Sequence, residues 1–382
     1  MSKAGSDVVV VGGGAIGLAS AWRLAQGGLT VTVCDPDPGS QATHASAGML
    51  APVTEAHYGE DRLLALNLAG ARRWADFAAE LEAESGRPVG YRTCGSLVVA
   101  LDADDAAVLE DLARYLDRLG LPAELLSGSG ARAVEPGLAA GVRRGLHVPG
   151  DHQADNRLLS AALLVALADR GVSLVHQAVD RIEVAGGRVE GVALADGSRV
   201  AAERVLLAAG CWSGQIGGVP DGTLPPVRPV KGQILRIQGP VGDPILRGNV
   251  RGLVRGRSLY LVPRASGRIV VGATVEEQGF DTRVTVEGIH RLLHDAAVLV
   301  PGLLDLELAE IGAGLRPGSP DNEPVVGATP VEGLIVATGH HRNGILLAPV
   351  TADAVAGLFA VGPTVPEIAG FGPERFAARS TP

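Results

Sequence analysis

Cysteine is scarce in this sequence, and its scarcity limits what the protein can be. The three cysteines, Cys34, Cys94 and Cys211, lie far apart and lack the close pairing of a metal site. Such cysteines are typical of small buried apolar residues in a reducing compartment. We therefore expect a cytoplasmic protein that binds no metal.

Long apolar runs and an excess of basic residues are also missing. No stretch approaches the roughly 20 consecutive apolar residues that a membrane helix needs. The first apolar run begins at about residue 7, so we expect no signal peptide before it. A net charge of −9 argues against nucleic acid as the main partner. The 382 residues are enough for two domains, each with its own core.

The opening of the chain carries its strongest motif. The apolar run 7–11 predicts a buried strand, and the periodicity of LASAWRLAQGG predicts a helix. Between them Gly12, Gly14 and Gly17 stand in G-x-G-x-x-G register. A second apolar run ends in Asp35. This order of strand, glycine turn, helix, strand and acid is typical of a dinucleotide-binding unit.

Each residue of the motif has a physical task. Gly12 permits a tight turn, Gly14 lets the backbone approach a pyrophosphate, and Gly17 lets the helix pack closely on the strand. The helix N-terminus attracts the negative charge of the pyrophosphate. Asp35 can accept hydrogen bonds from ribose hydroxyls, and an acid there disfavours the 2′-phosphate of NADP. The motif therefore predicts NAD or FAD.

The later segments predict a second domain. Helical periodicity covers 61–84, and KGQILRI, SLYLVPR and RIVVGAT predict three antiparallel strands separated by glycine turns. Residues 334–338 predict a strand followed by a glycine turn and an apolar helix, as at the start of the chain. After about residue 370 we expect a loose tail.

Several motifs together resemble the D-amino-acid-oxidase-type flavoproteins, and within them the bacterial glycine oxidases of thiamine biosynthesis. These motifs are VVVVGGGAIGLASAWRLA, SAGML, PVKGQIL, LVPR with GRIVVGAT, GLRPGSPDNEPVVG and GHHRNGILLAP. The match runs in order from Val8 to about Leu358. Many proteins share the opening motif, whereas the combination of GLRPG with GHxRNGILLAP is much more specific.

The resemblance implies an α/β fold (α+β overall) with a Rossmann-like FAD-binding domain and a mostly antiparallel substrate domain. The expected ranges are 1–85, 151–222 and 316–382 for the first, and 86–150 and 223–315 for the second. The resemblance implies non-covalent FAD, because the covalent sarcosine oxidases use a cysteine near the C-terminal flavin loop and none lies beyond Cys211. It also implies a homo-oligomer, a tetramer.

The resemblance places the cofactor contacts residue by residue. Val179 would meet the adenine through its backbone, and the segment from residue 343 would direct the positive end of a helix at the flavin. The full expected set is Gly12, Gly14, Ala15, Ile16, Gly17, Asp35, Ala42, Thr43, Ala47, Gly48, Met49, Val179, Gly210, His340, His341, Arg342, Asn343, Gly344, Ile345 and Leu346.

The family's substrate positions fall on Arg316, Tyr260 and Arg342. A planar guanidinium at Arg316 suits a small carboxylate, although the residue could instead form a structural ion pair with an acid such as Glu323. Arg342 could be a phosphate contact or a surface charge, and Tyr260 could be a core residue. Glycine oxidases can carry histidine where this chain has Ser258, which leaves the pocket lining open.

The function implied is oxidation of glycine or another small amine, such as sarcosine or a small D-amino acid. Hydride transfer to flavin N5 would give an imine, and oxygen would then give hydrogen peroxide. We expect no catalytic histidine, because a neutral amine needs no general base. The alternatives are a dehydrogenase with another electron acceptor, a flavin-bearing subunit of a larger complex, and an NAD-dependent dehydrogenase.

Overall fold

The structure, a computed structural model, describes residues 5–379. Its α-helices are α1 (Ala15–Gln26), α2 (Ala42–Ala45), α3 (Asp61–Ser85), α4 (Ala103–Arg118), α5 (Gly128–Val134), α6 (Asn156–Asp169), α7 (Val286–Leu299) and α8 (Ala348–Leu358). Its strands are β1 (Val8–Val11), β2 (Val31–Cys34), β3 (Met49–Leu50), β4 (Ser96–Ala100), β5 (Glu124–Ser127), β6 (Arg144–Val148), β7 (His152–Gln153), β8 (Ser173–Val175), β9 (Val179–Ala185), β10 (Arg188–Leu194), β11 (Arg199–Ala201), β12 (Val205–Leu207), β13 (Arg228–Gln238), β14 (Asn249–Val254), β15 (Arg257–Pro263), β16 (Arg268–Gly272), β17 (Glu307–Gly318), β18 (Val325–Ala328) and β19 (Leu334–Thr338).

The first strand lies inside a six-stranded sheet of order β18-β19-β12-β1-β2-β8. Every pairing in it is parallel except that of β18 with β19. Val8 and Val10 pack in the core formed with α1, α6 and α8, whereas Val9 and Val11 pack in the core shared with β9 and β10. Both faces of β1 are therefore covered, which explains its unbroken apolar run.

The second large sheet has eight strands in the order β17-β13-β16-β15-β14-β4-β6-β5. All its pairings are antiparallel except that of β14 with β4. One face packs on α7 through Leu292 and Leu299. Residues of the other face, among them Ile234 and Tyr260, line the main cavity. Two smaller sheets, β11-β10-β9 and β3-β7, complete the fold.

Two expectations from the sequence need correction. The last α-helix begins at Ala348, later than the expected start at residue 343. The segment after residue 370 is not a loose tail within the described residues, because Phe371 is buried and its carbonyl accepts a hydrogen bond from Val326 N at 2.8 Å. Residues 1–4 and 380–382, which the predicted domains and tail include, lie outside the described residues.

The division into domains by residue range stays a prediction. The expected boundary at residue 316 falls inside β17, which pairs along its whole length with β13 of the eight-stranded sheet. No helix of the described chain is both long and apolar enough to span a membrane. Likewise, no cluster of acidic, histidine or cysteine side chains in residues 5–379 has the make-up of a metal site.

Candidate active site

A cavity of about 730 Å³ lies where the two large sheets meet. At one end its wall comes from the carboxyl ends of β1 and β2, with Gly12 and Asp35. At the other end it comes from the eight-stranded sheet, with Tyr260 and Arg316. A ligand that filled the cavity would therefore run from a strand-end crevice, where nucleotides bind in open α/β sheets, to the second sheet.

The glycine turn adopts a backbone that larger residues would disrupt. Gly12 has a φ of +107°, and a Cβ there would lie 2.4 Å from the carbonyl oxygen of Ala208. At Gly17 a Cβ would come within 1.9 Å of Gly12 O, so α1 can pack this closely on β1 only without a side chain. Thr43 accepts a hydrogen bond from Ala15 N at 2.9 Å and joins the turn to α2.

Asp35 stands at the end of β2, as the motif predicts. Its Oδ2 accepts a hydrogen bond from Gly13 N at 2.7 Å, and its Oδ1 accepts one from Asp37 N at 2.8 Å. The carboxylate is thus fixed against the glycine turn and lines the cavity. Each oxygen keeps further lone-pair capacity, so the fixed carboxylate can also accept a hydrogen bond from a ribose hydroxyl.

Buried polar side chains hold α2 and the small-residue segment that follows it. Arg264 Nη2 donates to Ala47 O at 2.8 Å, and Asn156 Nδ2 donates to Thr43 O at 2.6 Å. Gly48 has a φ of +61°, and its Cβ would lie 2.0 Å from Ala154 O. The backbone therefore approaches the cavity closely along this segment.

The cavity brings together most of the expected contacts. Two of the expected residues do not line it: Gly17 packs helix on strand, and the Leu346 side chain lies in the core, with its carbonyl accepting from Trp74 Nε1 at 3.0 Å. The expected residues that line it are Gly12, Gly14, Ala15, Ile16, Asp35, Ala42, Thr43, Ala47, Gly48, Met49, Val179, Gly210, Tyr260, Arg316, His340, His341, Arg342, Asn343, Gly344 and Ile345.

The two histidines of the C-terminal loop are neutral at ordinary pH. Burial lowers the pKa of His340 to about 3, and its Nε2 lies 3.0 Å from Thr351 Oγ1. Burial, together with the nearby charges of Arg316 and Arg342, lowers the pKa of His341 to about 4. Neither ring carries a proton that it could donate as an imidazolium near pH 7.

Arg316 faces the cavity from β17 and is held by backbone carbonyls. Its Nη1 donates to Thr274 O at 3.2 Å and to Lys231 O at 3.5 Å. Glu323, the acid considered as its structural partner, pairs instead with Arg62 at 3.0 Å. No carboxylate in residues 5–379 forms an ion pair with the Arg316 guanidinium. The arginine is therefore available to an anionic ligand.

Tyr260 lies over a glycine of the neighbouring strand. A Cβ on Gly272 would come within 2.4 Å of the Tyr260 ring and hydroxyl. Tyr260 is half-buried and lines the cavity, so its ring is not enclosed in the core. The residue can therefore contact a ligand bound at this end of the cavity.

Sequence reasoning missed two charged residues of this cavity end, Glu55 and Arg251. Arg251 Nη1 lies 2.5 Å from Glu55 Oε1, and Arg342 Nη2 lies 3.6 Å from the same oxygen. Burial acts to raise the pKa of Glu55, but the charges of Arg342 and Arg251 outweigh it and hold the pKa at about 2. A signal for Arg251 existed, since it is a lone charge within the otherwise uncharged run NVRGLV.

The residues present fit FAD. The glycine turn lines one end of the cavity through Gly12 and Gly14, and Asp35 is fixed where a ribose would lie. The C-terminal loop then approaches the far end of the cavity through Asn343 and Gly344. A dinucleotide with a large ring system suits a cavity that runs from a phosphate turn to a second sheet. The fold and this cavity are those of a dinucleotide-binding protein built on two large sheets.

Comparison with known proteins gives the family. Residues 7–358 match the model of the family described as DAO, FAD dependent oxidoreductase. The chain belongs to this family of FAD-dependent oxidoreductases. Glycine oxidase of Geobacillus kaustophilus is 34% identical over 96% of this chain and 96% of its own.

Other relatives are similar over different shares of their length. The bifunctional protein ThiO/ThiG of Synechocystis sp. is 37% identical over 99% of this chain but only 55% of the relative, so this chain spans about half of that protein. The crystal structure of glycine oxidase from Geobacillus kaustophilus has a TM-score of 0.88 at 33% identity, covering 96% of this chain and 98% of that one. Iminodiacetate oxidase from Chelativorans sp. has a TM-score of 0.85 at 29% identity, with coverages of 96% and 98%.

Proposed function

We propose that the protein is an FAD-dependent oxidase of glycine or a similarly small amino acid or amine, which it converts to an imine while oxygen becomes hydrogen peroxide. One observation carries the proposal. The Arg316 guanidinium faces the cavity beside Tyr260 and has no ion-pair partner among residues 5–379. A half-buried guanidinium that faces a cavity and has no acidic partner is suited to bind a carboxylate in two parallel hydrogen bonds.

The chain's own residues act by binding and orientation. Arg316 binds the substrate carboxylate, and Tyr260 and Arg342 bound the same end of the cavity. Fixing the carboxylate aims the α C–H at the flavin end, where proximity lowers the barrier. Bound FAD supplies the two-electron acceptor of the reaction and the later reaction with oxygen. The neutral histidines do not act as acids, and the amine needs no base if it arrives unprotonated.

The relatives support the choice of substrate and pathway. Two features point to small amines: the relative is named glycine oxidase, and its similarity to this chain extends over 96% of its length. The bifunctional relatives join a segment similar to this chain to a second one. We therefore assign the imine to thiazole formation in thiamine biosynthesis. Oxygen as acceptor, a homo-oligomer such as a tetramer, and a cytoplasmic location are parts of the same proposal.

A peroxide assay of the purified holoprotein tests the proposal. Glycine, sarcosine, D-alanine and a bulky D-amino acid are compared, with peroxide and oxygen consumption measured together. We expect the small substrates to give higher kcat/KM than the bulky one, with one peroxide formed per oxygen consumed. Turnover only with a quinone or dye would instead indicate a dehydrogenase. No turnover with any amine would indicate a flavin-bearing subunit.

A further inference from the structure

The cavity end that carries Arg316 also holds a cluster of three charged residues, Glu55, Arg251 and Arg342. The two arginines share one carboxylate oxygen, Glu55 Oε1, at 2.5 Å from Arg251 and 3.6 Å from Arg342. Together with Arg316, this end of the wall has three guanidinium groups and a single carboxylate. The two arginines of the cluster therefore resemble an anion-binding site that is occupied by the Glu55 carboxylate.

The backbone directly before Glu55 is held in place by Asp151. Asp151 is fully buried, and it accepts hydrogen bonds from Val53 N at 3.1 Å, Thr54 N at 2.8 Å and Thr54 Oγ1 at 2.6 Å. These three bonds fix the backbone directly before Glu55. With its backbone fixed, Glu55 loses only side-chain freedom when it pairs with Arg251.

The cluster lies next to the substrate end on the same sheet. Arg251 of β14 stands directly opposite Tyr260 of β15 in the strand register. Residues two apart on a strand share a face, so Ser258 lies on the Tyr260 side. Ser258, which has a small side chain, also lines the cavity on this face. A substrate held by Arg316 beside Tyr260 would thus extend any second acidic group towards the cluster.

We propose that Arg251 and Arg342 form a second carboxylate subsite, which Glu55 fills and so restricts the enzyme to substrates with one carboxylate. This inference rests on the proposed function and deepens it. A substrate with an additional carboxylate, on its side chain or its nitrogen, meets Glu55 instead of a free guanidinium. Two carboxylates at one site repel each other. Displacing Glu55 would leave it without a partner in a buried place, which is also unfavourable.

The test compares ligands that differ by a single carboxylate, with the FAD-loaded enzyme. D-Alanine and D-aspartate give the ratio of kcat/KM values, and propionate and succinate give dissociation constants from the change in flavin absorption. In the wild type we expect D-alanine to be preferred and succinate to bind no more tightly than propionate. In Glu55→Gln we expect both ratios to shift towards the dicarboxylate by at least about tenfold, the scale of one charge pair.

Two further variants make the result specific. Adding Arg251→Met to Glu55→Gln should abolish the gain, because the freed guanidinium is then missing. Glu332→Gln is the matched control, since Glu332 forms an exposed ion pair with Arg188 at 3.5 Å; both ratios should stay at their wild-type values. FAD content and the melting temperature of each variant show whether it is folded.

Several outcomes would overturn the inference. One is a wild type that already binds succinate about tenfold more tightly than propionate, because the subsite would then be open. Another is a folded Glu55→Gln protein whose two ratios stay within about twofold of wild type. If Glu55→Gln loses FAD, the wild-type comparison alone decides. If the wild type oxidises none of the amines, the proposed function fails, whereas the succinate and propionate constants still decide the subsite.

Discussion

The Arg316 guanidinium lies directly over Gly232 of the neighbouring strand. A Cβ on Gly232 would come within 2.5 Å of Arg316 Nη2 and 2.6 Å of Nη1. The side chain crosses β13 at this point, and its Nη1 reaches the carbonyl of Thr274 at 3.2 Å. The position of the arginine thus depends on the absence of a side chain on the strand beneath it.

Replacing Gly232 by alanine should displace Arg316 without removing it. Overpacking of this kind costs about 1–3 kcal/mol. If that cost appears in substrate binding, we expect kcat/KM for glycine to fall by about fivefold to a hundredfold, mostly through KM. Steady-state kinetics and FAD content measure the effect. Gly312→Ala on β17 is the matched control, since a Cβ there meets nothing within 4 Å. Equal kinetics for the two variants would contradict the geometry.

The pH dependence of stability should reveal Asp151. Burial raises its pKa to about 6 from 3.8, even though three hydrogen bonds favour the charged form. A carboxyl group whose pKa is raised by folding stabilises the folded protein at pH values below its pKa in the unfolded chain. This contribution is lost as the pH rises through the folded-state pKa of about 6. Relative to Asp151→Asn, the wild type should therefore lose about 2 kcal/mol between pH 4 and 7.

Urea unfolding of the two proteins across this range measures the effect of Asp151. The variant is expected to be less stable throughout, because an amide nitrogen cannot accept the hydrogen bonds of a carboxylate oxygen. The informative quantity is the change of the difference with pH. If the stability difference between the two proteins stays constant from pH 4 to 7, or grows, the pKa of Asp151 is not raised in the folded protein.

The cofactor end of the cavity could be predicted from residues that are close together in the sequence. The glycine turn, α1 and Asp35 follow one another in the chain, so their spacing alone specifies the crevice. The substrate end is built differently. Glu55 and Arg251 are 196 positions apart, and the carbonyl that holds Arg316 belongs to Thr274 on another segment. Such pairings depend on strand register across the eight-stranded sheet, which periodicity does not encode.

One strand, β14, was also missed because it depends on pairing between distant segments. Strand β14 was not predicted, because its six residues show no alternation of polar and apolar side chains and all but one are buried. Its neighbours β4 and β15 cover both edges, so the strand forms through tertiary pairing. The helix expected from residue 343 begins at Ala348, because the residues before it form a separate turn in which Leu347 N donates to Asn343 O at 2.8 Å.

The FAD should be released when the protein is denatured. The two cysteines that line the cavity are Cys34 and Cys211. Burial raises the pKa of each thiol to about 12, so neither supplies the thiolate needed for a covalent bond. After acid precipitation we expect the yellow colour in the supernatant, measured by its absorption spectrum. Colour that stays with the precipitated polypeptide would show a covalent flavin.

Arg316→Ala should be the most damaging substitution for substrate binding. Removing one partner of a buried charge pair costs about 2–5 kcal/mol, so kcat/KM for glycine should fall by about thirty-fold to a few thousand-fold. Arg316→Lys should recover only part of the loss, because an ammonium keeps the charge but lacks the planar fork. FAD content should match the wild type in both variants, and an amine without a carboxylate should be oxidised at nearly the same rate by all three proteins. A near-normal KM for glycine in Arg316→Ala would move the carboxylate to Arg342, whose guanidinium already shares Glu55 with Arg251.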